Sequence, residues 1–182
     1  MPQNNPPNRD ALVISIGKYT DLTPRELPEL VNEAEKIAQL LETQGGFRVR
    51  RVPATKPGDK EFIDPKQMLV ADELKSAIEQ LLMPKSEHLP TTALLFFAGH
   101  GLQKEIKENH YEGFLATSEA SPDEDEWGIS LQWLRELLEK SPIPQQIVWL
   151  DACHSGELFN FIPNKDLPGF QTWQVWPTIY VS

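Results

Sequence analysis

Apolar positions along this chain switch between a period of two and a period near 3.6, and each switch marks an element. Ala11-Leu12-Val13-Ile14-Ser15-Ile16-Gly17 is a short apolar run, rich in β-branched residues and ending at glycine, which reads as a buried strand. From Leu27 to Thr43 the spacing becomes helical. Leu30, Val31, Ala34, Ile37, Ala38 and Leu41 fall on one face, and Gly45-Gly46 stops the helix. Phe47-Arg48-Val49-Arg50-Arg51-Val52 alternates as a half-exposed strand. A turn-rich stretch runs from Pro53 to Pro65. Asp72 then stands where an N-cap belongs, ahead of a helix whose apolar stripe is Leu74, Ile78, Leu81 and Leu82.

Ala93 to Ala98 is a third strand, and it runs into Gly99-His100-Gly101. The segment from Gln103 to Trp127 is polar and acidic, with Tyr111 to Ala116 as a short hairpin arm. Ser130 caps a third helix carrying Leu131, Leu134, Leu137 and Leu138. Gln146-Ile147-Val148-Trp149-Leu150 is a fourth strand, followed by Asp151-Ala152-Cys153-His154-Ser155-Gly156. Strands alternating with helices predict an α/β fold, with a largely parallel sheet covered on both faces. No internal repeat is present.

Composition narrows the picture. A chain of 182 residues, 40% hydrophobic and 24% charged, suffices for one globular domain. Seventeen Lys and Arg against 27 Asp and Glu give a net charge of −10. That balance argues against non-specific binding to nucleic acid or an anionic membrane. It is compatible with basic substrates, although solubility alone accounts for it. The longest apolar run, Ala93 to Ala98, is far short of a bilayer span, and the Pro- and Asn-rich first ten residues lack the features of a signal peptide. Those ten residues read as a disordered segment, and the chain as cytoplasmic. The one cysteine, Cys153, can form no internal disulfide and is a poor basis for a zinc site, so it is either an inert core residue or a nucleophile.

In open α/β sheets, chemistry collects at the carboxyl ends of the strands. Here the third strand delivers His100 between two glycines, and the fourth delivers Cys153 ahead of His154, Ser155 and Gly156. If those strands are neighbours, imidazole and thiol face each other. A thiol with a reference pKa of about 8.5 needs such a base or cationic neighbour to react. Flanking glycines let the backbone approach a substrate and leave amide N–H groups for an oxyanion. Packing alone explains either residue taken singly; the pair, both at strand ends and both beside glycine, is harder to explain that way. His88 and His110 fall in polar loops and read as solvated, and the side chain of His154 should point away from that of Cys153.

Phe97-Ala98-Gly99-His100-Gly101 and Leu150-Asp151-Ala152-Cys153-His154-Ser155-Gly156 resemble the two catalytic motifs of the caspase-like cysteine peptidases. The likeness is nearer to metacaspases and orthocaspases than to animal caspases. Cys153 follows His100 by 53 positions, and Asp151 stands where the caspase signature has Gln. Val31-Asn32-Glu33-Ala34, Gly46-Phe47 and Phe114-Leu115-Ala116-Thr117 extend the resemblance, which covers roughly Ala11 to Gly156.

It implies a three-layer caspase-like fold and an endopeptidase in which His100 is the general base and Cys153 the nucleophile. It also implies an oxyanion hole made by the N–H groups of Gly101 and Cys153. Asp151 matches an acidic residue of the primary specificity pocket, which implies cleavage after Arg or Lys; a carboxylate favours a cationic side chain and repels an acidic one. The alternative for Asp151 is a cap or loop hydrogen-bond acceptor. Asp21, in the loop after the first strand, matches a second pocket residue weakly. The expected partners are peptides or proteins with basic residues, and the loop residues Lys104, Lys107 and Lys165 are candidate self-cleavage points.

The resemblance fades from about Pro163, and only residues 154–182 follow Cys153, whereas caspase-like domains continue with two further strands. The expected organisation is therefore a segment 1–10, a large-subunit-like catalytic part 11–162 with the last strands missing, and an atypical tail 163–182. Phe170, Trp173, Trp176 and Tyr180 make that tail aromatic. A small-subunit half or a fused domain is then a further expected partner. The runner-up function is a truncated, catalytically incompetent module with a binding or regulatory role. No cofactor or metal is expected. Some metacaspases need calcium, but the acidic run Ser118 to Glu126 lacks the pattern of an EF-hand and reads as a solvated loop.

Overall fold

The computed structural model describes residues 8–85, 89–108 and 110–153. Its centre is a four-stranded sheet in the order β2-β1-β5-β9, every pair parallel. These strands are β1 (Arg9–Ser15), β2 (Arg48–Val52), β5 (Thr92–Ala98) and β9 (Gln145–Asp151). The two inner strands, β1 and β5, carry the two most continuous apolar runs, as burial on both faces demands.

Alternation along the inner strands feeds two cores. Ala11, Val13, Leu94, Phe96 and Ala98 meet helix α1 (Pro28–Thr43) through Val31, Ala34 and Ala38. Leu12, Ile14, Ala93, Leu95 and Phe97 face the opposite side. There they pack with Leu74, Ile78, Leu81 and Leu82 of α2 (Ala71–Leu82) and with Leu131, Leu134 and Leu138 of α3 (Leu131–Lys140). The result is three layers, helix, sheet and helices, as the alternation of elements predicted.

Two small sheets accompany the central one among the described residues. β3 (Ala54–Thr55) pairs antiparallel with β4 (Phe62–Ile63). β6 (Gly101–Lys107), β7 (His110–Leu115) and β8 (Ile129–Ser130) form an antiparallel sheet that leaves the end of β5 directly. The sequence indicated only β7, as an isolated arm. β6 was hidden because Gln103, Lys104, Glu105 and Lys107 are polar on both faces, so no apolar period survives. His110 accordingly stands in a strand and not in a loop, though exposed as expected.

Asp72 is not the cap of α2. The helix begins one residue earlier, its N-cap is Val70, and the Ala71 N–H donates to Glu119 Oε1 from the facing loop at 3.0 Å. A tertiary carboxylate thus replaces the local one, and Asp72 and Glu73 serve the first turn by charge. Ser130 does cap α3, its hydroxyl accepting from the Trp133 N–H at 3.1 Å.

Candidate active site at the ends of β5 and β9

The ladder between β5 and β9 holds seven register pairs, from Thr92↔Gln145 to Ala98↔Asp151. His100 lies two residues beyond Ala98 and Cys153 two beyond Asp151, so the two strands deliver them at matching positions. Past the last pair the backbones stay joined, the Gly99 N–H donating to the Asp151 carbonyl at 3.2 Å. Gly101 then lies flat against Cys153. A Cβ added there would run into the Cys153 carbonyl oxygen, and would stand 2.7 Å from its carbonyl carbon and 3.0 Å from its nitrogen. Only glycine lets the two segments close to this distance.

Cys153 is exposed, which removes the reading of an inert core thiol. Asp151 is half-buried at the last residue of β9. Asp21 is exposed in the loop between β1 and α1, which emerges at the same end of the sheet because β1 and β5 run parallel. His154, Ser155, His88 and the tail 163–182 lie outside the described residues.

Two groups that the sequence did not suggest hold His100. Its Nε2 lies 2.9 Å from the Pro24 carbonyl oxygen. A carbonyl only accepts, so Nε2 carries the proton in the neutral ring, and Nδ1 is left as the basic nitrogen. The second group is Tyr19. Its hydroxyl accepts from the His100 backbone N–H at 2.8 Å, and its ring meets the imidazole edge to face, with centroids 4.6 Å apart. Tyr19 is buried, and burial holds its phenol far above the ordinary value against the opposing pull of the His100 N–H, so it stays un-ionised. A backbone carbonyl leaves no side-chain signature to read. Tyr19 did leave one, an aromatic residue two positions past Gly17, but a single aromatic after a strand is usually core.

The antiparallel sheet braces the same loop from the other side, the Ala116 N–H donating to the His100 carbonyl at 3.0 Å. Farther out, Lys104 and Trp127 both donate to Asp125, tying β6 to the turn after Pro122–Glu124. Among the described residues, no group of three or more His, Cys, Asp or Glu is arranged to hold a metal ion. No described helix is long and apolar enough to cross a membrane.

A parallel α/β sheet that brings a histidine and an exposed cysteine to the adjoining ends of two neighbouring strands is the arrangement that a cysteine hydrolase built on an open sheet requires. The sequence model of the family described as "Caspase domain" matches residues 8–171. The chain belongs to the caspase family of cysteine peptidases. No curated protein gives a significant match.

Proposed function

We propose that this chain is a cysteine endopeptidase of metacaspase or orthocaspase type, working through a His100–Cys153 dyad and cleaving after Arg or Lys. The observation that carries the reading is the contact of Gly101 with the backbone of the exposed Cys153, which brings the histidine loop and the cysteine loop together at the carboxyl ends of β5 and β9. In this reading His100 Nδ1 takes the proton of the Cys153 thiol, and Sγ attacks the scissile carbonyl carbon. The carbonyl π-electrons move to oxygen, and the N–H groups of Gly101 and Cys153 stabilise the resulting oxyanion. On collapse the C–N bond breaks. The proton held by His100 passes to the leaving amine, and an acyl thioester remains on Cys153. Water, deprotonated by the same nitrogen, then releases the acid and restores the thiol. The Pro24 carbonyl stabilises the imidazolium that forms along the way, because Nε2–H remains bonded to it.

Specificity in this reading comes from Asp151, half-buried beside the nucleophile and assisted by Asp21 in the neighbouring loop. A carboxylate there pairs with a guanidinium or ammonium. Substrates are then peptides or proteins with accessible basic residues.

Two irreversible peptide inactivators test this, one with Arg and one with Asp at the reactive position, read by intact mass and by the modified residue. Selective labelling of Cys153 by the Arg probe is expected, and Cys153→Ala should abolish turnover of an Arg peptide with the fold intact. Unchanged turnover in that variant overturns the dyad. Equal labelling by both probes overturns the basic specificity, and a folded chain that neither labels is a non-catalytic module.

A further inference from the structure

We propose that Tyr19 is the positioning residue for His100, fixing both the path of its backbone and the face its imidazole presents to Cys153. The proposal deepens the dyad reading and rests on it for its catalytic meaning. Three contacts converge on this one buried side chain. The hydroxyl accepts the His100 N–H, the ring packs edge to face on the imidazole, and Gly99 is held so close that a Cβ there would stand 2.5 Å from the Tyr19 oxygen. The Tyr19 backbone adds a fourth, its N–H donating to the Arg25 carbonyl at 2.8 Å. That bond closes the loop carrying Pro24, whose carbonyl receives His100 Nε2–H.

One residue therefore governs both ends of the histidine's support. Without the hydroxyl, the His100 N–H loses its acceptor in a half-buried setting. Without the ring, the imidazole loses the surface that keeps it turned toward the Pro24 carbonyl. Either loss frees the ring to exchange its two neutral tautomers, and only the Nε2–H form leaves Nδ1 basic. Tyr19 is itself buried under the loop, so it makes no contact with substrate and should leave substrate binding alone.

The experiment uses the full chain with Tyr19→Phe, which keeps the ring, and Tyr19→Leu, which removes both features. Long-range nitrogen–proton NMR of the histidine rings, with His100→Gln to assign the signal, reads the tautomer. The native chain is expected to show Nε2–H alone, Tyr19→Phe a minor second form, and Tyr19→Leu a mixture. Against an Arg peptide, kcat of Tyr19→Phe should fall about tenfold, which corresponds to about 1.4 kcal/mol, with KM within about twofold. A residue acting only through stability would shift melting and leave kcat per folded molecule unchanged. An identical Nε2–H signal in folded Tyr19→Phe and native chains, with equal kcat, overturns the proposal. If Cys153→Ala retains turnover, the dyad reading falls, and the tautomer signals still decide whether Tyr19 holds the ring. Should Tyr19→Leu fail to fold, Tyr19→Phe carries the test alone.

Discussion

Among the described residues, the two outer strands of the central sheet each lead to a chemically demanding residue near their carboxyl ends, and they treat it in opposite ways. On β2, all three side-chain nitrogens of Arg51 are engaged. Its side chain is 2% exposed, Nη1 and Nη2 donate to both oxygens of Glu42, and Nε donates to Glu35. Glu35 in turn accepts the Ile63 N–H of β4. Just past β9, Cys153 stands exposed, and the histidine beside it is held at its far nitrogen, at its backbone and against the Tyr19 ring. The Arg51 cluster commits its ion pairs and hydrogen bonds to holding α1, β2 and β4 together. The other edge, in the proposed mechanism, holds its groups in place so that Nδ1 and Sγ meet the substrate. A group tied down by several ion pairs gives structure, whereas one positioned with an atom left open can serve chemistry.

Substitutions at the two edges should therefore separate activity from stability. His100→Ala should cost about a thousandfold in kcat/KM, roughly 4 kcal/mol of transition-state stabilisation, with little change in the melting midpoint. A variant that kept native turnover would remove the histidine from the chemistry. Gly101→Ala comes next. The added methyl must push back the Cys153 carbonyl, so turnover should drop by about a hundredfold, out of proportion to any loss of stability. Native kcat in that variant would show that the close approach is incidental.

Arg51→Met reverses the pattern. It strands two carboxylates, and because Glu42 keeps 34% of its side chain exposed the loss should be about 2 kcal/mol, below that of a fully buried pair, with kcat per folded molecule unchanged. Its pH dependence sharpens the point. Hydrogen bonds from Arg51 hold the Glu42 carboxyl below its ordinary range. The stabilisation is therefore present above the unfolded Glu value of about 4.3 and fades as pH falls from there toward the lower folded value. The native chain should lose stability over that acid window more steeply than Arg51→Met. Parallel curves in thermal melts would exclude the pair as a source of acid sensitivity.

Why some of this was legible in the sequence and some was not follows from where the information lies. β1 and β5 declare themselves as unbroken apolar runs because both faces are buried, α1 and α3 because burial of one face forces a helical period, and Ser130 declares its cap because the bond it makes is local. His100, between two glycines, and Cys153 stand out as rare reactive types at strand ends, so the candidate site was legible once the strands were. Asp72 misled because a local rule was applied where a distant carboxylate, Glu119, does the capping. β6 carries no period, since neither of its faces is wholly buried. The Pro24 carbonyl and the hydroxyl of Tyr19 act through backbone geometry and through contact across 76 and 81 positions of chain, which no reading of neighbours reveals.

The ladder of β5 and β9 also determines where this protein can be rebuilt. The matching chain positions of His100 and Cys153 are set by seven rungs and not by the length of chain between them. The excursion from Ala98 to Gln145, with its hairpin and α3, is freight suspended from a fixed gauge. A residue added on its outer surface changes what is carried, whereas a residue added inside β9 turns the following side chains to the opposite face and takes the thiol out of line. Between the two strands, sequence can drift in length, and on the rungs it cannot.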